Sequence, residues 1–196
     1  MRVIAGTYRS RQITAPRGPA TRPTSDRLRE TLFSILTPRI PGSRFADLYA
    51  GTGAVGIEAI SRGAAHVWFA EKAAPALAAI RANLKSLGIT NSFTLEERGT
   101  GALLERLAKA TQKPSLPPEQ LDLVYLDPPW EAEAEYTGTL QLLGSERGRR
   151  ILAPHALVVA EHSSKTPLPA RFSELVQTRT MKQGDAALTF YAAVGL

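Results

Sequence analysis

Cysteine is absent from the sequence. That excludes a thiolate nucleophile of the kind used for methylation at pyrimidine C5, a cysteine-ligated iron–sulfur cluster and a cysteine zinc site. Histidine is scarce. His66, His155 and His162 are scattered without ligand spacing, so each is read as structural and no metal is expected. No apolar run approaches the roughly 20 residues of a membrane span. Met1-Arg2 leads into a short strand-like segment, not the apolar core of a signal peptide. The expectation is a cytoplasmic protein with no membrane partner.

Lysine is missing from the first 44 residues, which hold nine arginines and only two acids, Asp26 and Glu30. The other residues hold 15 bases and 16 acids, so the whole net charge of +6 originates in the first segment. A one-sided basic region is an electrostatic footprint for a polyanion. The choice of arginine fits phosphate and bases, because guanidinium forks bind phosphate bidentately and stack on rings.

With 196 residues, 43% hydrophobic and 21% charged, the chain has room for one folded domain and a small appendage. RVIAGTYRSRQITAP predicts two short strands around a turn, followed by the loop PRGPATRP. TSDRLRETLFSIL predicts an amphipathic helix with Leu28, Leu32, Ile35 and Leu36 on one face and Thr24 or Ser25 as cap. From Arg44 onward strands and helices alternate: RFADLY, AVGIEAISRG, HVWFAE, Pro75 to Leu87, SFTLEER, Ala102 to Ala110, LDLVYLD, a helix between Glu133 and Leu143, and ALVVAEH. Two long strands around Gln183-Gly184-Asp185 close the chain. Such alternation implies a mainly parallel sheet with helices on both faces.

DLYAGTGAVG, Asp47 to Gly56, joins the first strand of this alternation to its helix. Its glycines let backbone pass close to a ligand at the carboxyl end of a strand, where such sheets bind ligands. Glu71 ends the second strand, where a carboxylate can accept both hydroxyl hydrogens of a ribose. NAD would want its pyrophosphate at the helix N-terminus. S-adenosylmethionine carries no phosphate but has a sulfonium and an amino-acid tail, for which the acid Asp47 is useful. Asp47 can receive the ammonium directly or order the loop, and the sequence leaves both open.

LDLVYLDPPWEAE, Leu121 to Glu133, runs a buried strand into an aspartate, two prolines and a tryptophan. Pro128 and Pro129 remove two backbone donors and fix two φ angles. An exocyclic amine on a nucleobase is a poor nucleophile, because its lone pair is delocalised into the ring. Two acceptors drawing on its hydrogens, the Asp127 carboxylate and a backbone carbonyl taken to be that of Pro128, pull the nitrogen toward tetrahedral geometry. Trp130 can stack on the base. A dehydrogenase would give Asp127-Pro128-Pro129-Trp130 no role.

These residues carry a resemblance. Asp-Pro-Pro-Trp resembles the (D/N)PP(Y/F/W) signature of amino-methyltransferases, and AGTGAVG looks like their cofactor loop. RVIAGTYRSRQITAP with RPTSDRLRETLFSIL is similar to the bacterial 16S ribosomal RNA guanine-N2 methyltransferases of the small subunit. The resemblance implies an α/β fold with a Rossmann-like, seven-stranded class I methyltransferase sheet and a small N-terminal hairpin and helix extension. Residues 1–40 would be the RNA-binding extension and 41–196 the methyltransferase domain. It also implies S-adenosylmethionine as methyl donor, with S-adenosylhomocysteine as product. The target would be one guanine of 16S rRNA, in an assembled or partly assembled 30S subunit, and a monomer is expected.

Residue by residue, Tyr49, Ala50, Gly51, Thr52 and Gly53 match the cofactor loop, with Asp47 before it, and Glu71 matches the ribose-binding acid. Asp127, Pro128, Pro129 and Trp130 match the catalytic motif. Arg22, Thr24, Arg27 and Arg29 match the N-terminal signature, assigned to RNA or to a loop covering the cofactor, and Arg9 and Arg11 join them as RNA-binding candidates. Two departures stand out. Ala73 replaces the usual Asp or Asn two positions after Glu71, and Thr100, with Glu97 nearby, stands where an Asp or Asn usually meets adenine. The competing reading is a DNA adenine-N6 or cytosine-N4 methyltransferase. Its motif fits equally, but the chain has no recognisable target-recognition domain.

Overall fold

The computed structural model describes residues 1–15, 26–110 and 120–194. Two compact units divide the chain, Met1–Gly99 and Thr100–Leu196.

In the first unit three parallel strands lie in the order β3-β2-β1: β1 (Arg44–Leu48), β2 (His66–Ala70) and β3 (Phe93–Glu96). They alternate with α1 (Asp26–Leu36), α2 (Ala54–Ser61) and α3 (Ala74–Leu87). α1 buries Leu28, Leu32 and Leu36 at the predicted spacing, leaves Ile35 of the predicted face only half-buried, and adds Phe33, whose ring stacks on Phe45 of β1 at 6.5 Å. Arg62 lies over the Phe33 ring, 4.9 Å from its centroid. Gly88 ends α3 in the left-handed conformation (φ 71°), which glycine adopts without the Cβ penalty.

The hairpin expected over residues 1–15, here called the arm, is reduced to a single bridge, Arg2 to Gln12. The ladder stops because the next backbone groups turn to α2. The Ile4 and Ala5 N–H groups donate to the Glu58 carboxylate at 2.7 and 3.0 Å. A side chain at Gly6 would place its Cβ 1.8 Å from the Ser61 carbonyl oxygen, so this approach requires glycine. The helix caps Thr24 and Ser25 lie outside the described residues.

The second unit contains β4 (Leu121–Leu126), β5 (Leu152–Ser163), β6 (Arg171–Phe172), β7 (Leu175–Gln183) and β8 (Ala186–Ala193), in the order β4-β5-β8-β7-β6. β4 and β5 are parallel, and the other pairs are antiparallel. Its helices are α4 (Thr100–Ala110), α5 (Glu133–Gly144) and α6 (Glu146–Ile151). Among the described residues seven strands match the expected number, and the two-residue β6 is an addition beside β7. α6 was not anticipated: ERGRRI is one short turn of helix, too brief for a hydrophobic period to register. Among the described residues no helix is long and apolar enough to cross a membrane.

Candidate active site

β1 delivers Asp47 to the start of the glycine loop. Three loop residues have left-handed backbone: Tyr49 (φ 64°), Gly51 (φ 54°) and Gly53 (φ 77°). For tyrosine this conformation is uncommon, and such outliers concentrate where a ligand must be met. A Cβ at Gly51 would meet nothing within 4 Å, so glycine serves the backbone there and the space beside it is open. Gly56 has the opposite role. Its Cβ would fall 2.2 Å from the Phe69 ring, so its absence lets α2 pack against β2.

Asp47 is 2% exposed, and its Oδ2 accepts the Gly56 N–H at 2.8 Å. It therefore orders the first turn of α2. Burial pushes its carboxyl up to about 8, against the lowering effect of the Gly56 hydrogen bond, and the nearby Glu71 charge adds to the rise.

Glu71 is engaged by backbone. Its Oε2 accepts the Gly51 N–H at 2.9 Å, and its Oε1 accepts those of Lys72 and Ala73 at 2.7 and 2.8 Å. Oε1 has both lone pairs used, whereas Oε2 keeps one. The carboxylate thus holds the glycine loop and offers one acceptor direction to a ligand hydroxyl, fewer than the two the sequence suggested.

Thr100 opens α4 and is 7% exposed, and its hydroxyl has no hydrogen-bond partner. An orphaned buried hydroxyl is a fit for a polar ring edge such as that of adenine. Glu97 pairs with Arg81 instead.

In the second unit β4 ends at Leu126 and Asp127 follows, with Pro128 buried, Trp130 half-buried and Pro129 exposed. The loop closes on α5 through the Ala132 N–H, which donates to the Pro129 carbonyl at 2.8 Å. The Tyr136 hydroxyl is 3.0 Å from the Pro128 carbonyl and 2.8 Å from the Glu161 carbonyl of β5. Tyr136 is 3% exposed and was not singled out by sequence, since α5 has almost no amphipathic pattern to distinguish it. Beneath the loop, Tyr125 of β4 donates to the buried Glu161 carboxylate.

A pocket opens beside this loop. It is lined by Trp130, Glu133, Tyr136 and Thr137 and by His162 with Thr166–Pro169. Its proline-bearing segment is held in place. His162 Nδ1 faces the Ser163 and Thr166 carbonyls at 2.9 and 3.1 Å, and the Tyr191 hydroxyl donates to the Pro169 carbonyl at 2.9 Å. Two carbonyls at Nδ1 place the hydrogen there, leaving Nε2 to accept from Thr189 at 2.8 Å. Burial lowers the tendency of His162 to protonate.

The arginines separate into two groups. Arg9, Arg11 and Arg27 are exposed, and Arg22 and Thr24 lie outside the described residues. Arg29 is wholly enclosed, and one guanidinium nitrogen donates at 2.7 Å both to the Arg2 carbonyl and to Asp26. A guanidinium without accessible surface cannot meet RNA phosphate. The expectation for Arg29 is therefore corrected: it ties α1 to the arm.

The α/β topology, with a glycine loop after β1 and an Asp-Pro-Pro-Trp loop after β4, defines the fold of class I methyltransferases. The chain belongs to the family described as "Conserved hypothetical protein 95", whose model matches residues 1–192. It is 32% identical over 195 residues to YlbH of Bacillus subtilis, covering 100% of both chains. It is 31% identical over 191 residues to "Ribosomal RNA small subunit methyltransferase D" of Escherichia coli, covering 97% of this chain and 89% of that one. The solved structure of yhhF from Escherichia coli superposes with a TM-score of 0.79 at 28% identity, covering 98% of this chain and 97% of that one.

Proposed function

We propose that the chain transfers a methyl group from S-adenosylmethionine to the exocyclic N2 amine of one guanine in 16S rRNA of the small ribosomal subunit. The observation that carries this reading is the loop Asp127-Pro128-Pro129-Trp130, a carboxylate and an aimed carbonyl beside an aromatic face, in a chain of this family. The name of the Escherichia coli relative supports rRNA as the substrate class.

S-adenosylmethionine supplies a methyl group activated by its sulfonium. Gly51 leaves backbone bare for its approach, Gly53 gives the loop its left-handed turn, Glu71 accepts one ribose hydroxyl, and Thr100 meets the adenine edge. At the other substrate, Asp127 and the Pro128 carbonyl accept the two amine hydrogens, and Trp130 sets the plane of the flipped base. Catalysis is mainly positioning with electrostatic support. Asp127 need not be a strong base, because the amine becomes acidic as it gains the methyl. Arg9, Arg11, Arg22, Thr24 and Arg27 bind rRNA in this reading, on a 30S particle, with the protein acting as a monomer.

The test is methyl transfer from labelled S-adenosylmethionine to unmethylated 30S subunits, naked 16S rRNA and duplex DNA, with the labelled nucleoside identified after digestion. N2-methylguanosine from a ribosomal substrate is expected. N6-methyladenine or N4-methylcytosine from DNA would overturn the reading.

A further inference from the structure

Asn83 of α3 is 1% exposed and bonded in three directions. Its Oδ1 accepts the Thr14 N–H at 2.9 Å, and its Nδ2 donates to the Thr14 carbonyl at 2.9 Å and to the Thr52 carbonyl at 3.0 Å. Thr14 belongs to the arm, and Thr52 stands between the two loop glycines, Gly51 and Gly53. A primary amide has two N–H donors, and here each is committed to a different stretch of backbone. Aspartate would offer no donor, so this double clasp is particular to the amide.

The arm end of the clasp is itself anchored. Ile13 is 3% exposed, and Arg11 donates to the Ser86 carbonyl of α3 at 3.1 Å while remaining at the surface. The loop end is the opposite. Gly51 and Gly53 flank Thr52, and glycine has more backbone freedom to lose on ordering than any other residue. Whatever fixes Thr14 also fixes the amide, and through it the Thr52 carbonyl. A ligand that binds the ordered loop then has less ordering left to accomplish.

We propose that Asn83 is a positioning residue coupling the arm to the cofactor loop, so that RNA held by the arm tightens cofactor binding. This rests on the function proposed above, with Arg9 and Arg11 as arm contacts to RNA. Linkage makes the effect reciprocal: cofactor tightens RNA binding by the same factor.

The experiment measures the dissociation constant of labelled S-adenosylhomocysteine for the full chain, with and without saturating unmethylated 30S subunits. The product is used so that no turnover occurs. In the unaltered protein, 30S subunits are expected to tighten binding by about fivefold or more. Asn83→Asp keeps the acceptor for the Thr14 N–H and loses both donors, and its ratio should fall toward one. Because Asn83 is buried, Thr14→Pro is the companion variant. It removes a single N–H at an exposed arm position and should also lower the ratio, with a small fall in thermal midpoint from the orphaned amide oxygen. A purely structural role would alter stability and leave the ratio alone. A ratio of one in the unaltered protein, or one unmoved in both variants, would overturn the coupling while leaving the proposed function standing. Failure to bind 30S subunits at all would remove the function and the coupling together.

Discussion

The hydroxyl of Tyr136 spans two backbone carbonyls, that of Pro128 in the Asp-Pro-Pro-Trp loop and that of Glu161 in the neighbouring strand β5. One hydroxyl hydrogen serves both, so the loop carbonyl is referenced to a strand. Tyr136→Phe removes this tie and keeps the ring that fills the core. It should lower kcat by about tenfold, the worth of one hydrogen bond of roughly 1.4 kcal/mol. The KM for S-adenosylmethionine should not change. Steady-state kinetics on 30S subunits decide it, and a rise in cofactor KM at constant kcat would contradict a role at the amine.

Asp127→Ala removes an acceptor needed only as the amine pyramidalises. Turnover should fall by about a hundredfold or more, while S-adenosylhomocysteine binding, followed by calorimetry, stays near its original value. Loss of both together would assign Asp127 to holding the loop instead.

Asp47 gives the ligand-free protein a pH signature. Its carboxyl is raised from 3.8 to about 8 in the fold, chiefly by burial. Below the lower value both states are protonated. Between the two values the unfolded chain sheds a proton that the folded chain keeps, so stability falls as pH rises through this window and levels above it. The slope is at most about 1.4 kcal/mol per pH unit. Asp47→Asn should remove this contribution. Denaturant unfolding of both proteins at pH 5, 6.5 and 8 measures it, and parallel profiles would show Asp47 to be ionised throughout.

Glu58 is completely buried and serves three donors, the backbone N–H groups of Ile4 and Ala5 and the side chain of Arg62. Glu58→Ala leaves those donors without an acceptor, at a cost of about 3 kcal/mol or more. Chemical denaturation should register the loss, and limited proteolysis should cut within residues 1–15. A stable variant with a protected arm would show that water can take the carboxylate's place.

The order of strands and helices was legible because hydrophobic runs of the right length were separated by glycine and proline. The Asp127 and Gly51–Gly53 loops were legible because their residue types are unusual together. What sequence concealed was direction. Arg29 lies on a helix rich in surface charge and reads as a surface cation, yet it turns inward to the Arg2 carbonyl, a partner 27 residues away in the chain. The arm reads as a hairpin because its alternation is local, and Val3 and Ile13 do bond across its turn, but Ile4, Ala5 and Thr14 turn away to Glu58 and Asn83. Tyr136 acts through a backbone carbonyl, and carbonyls carry no residue type to read.

The arm's attachments also set an order of events during synthesis. Its stabilising partners lie far downstream: Ile4 waits for a carboxylate 54 residues later and Thr14 for an amide 69 residues later. Residues 1–15 are therefore unable to settle until α2 and α3 have emerged and folded. A nascent chain halted before Asn83 would carry a basic, unattached arm, and release past that point would allow the arm to close.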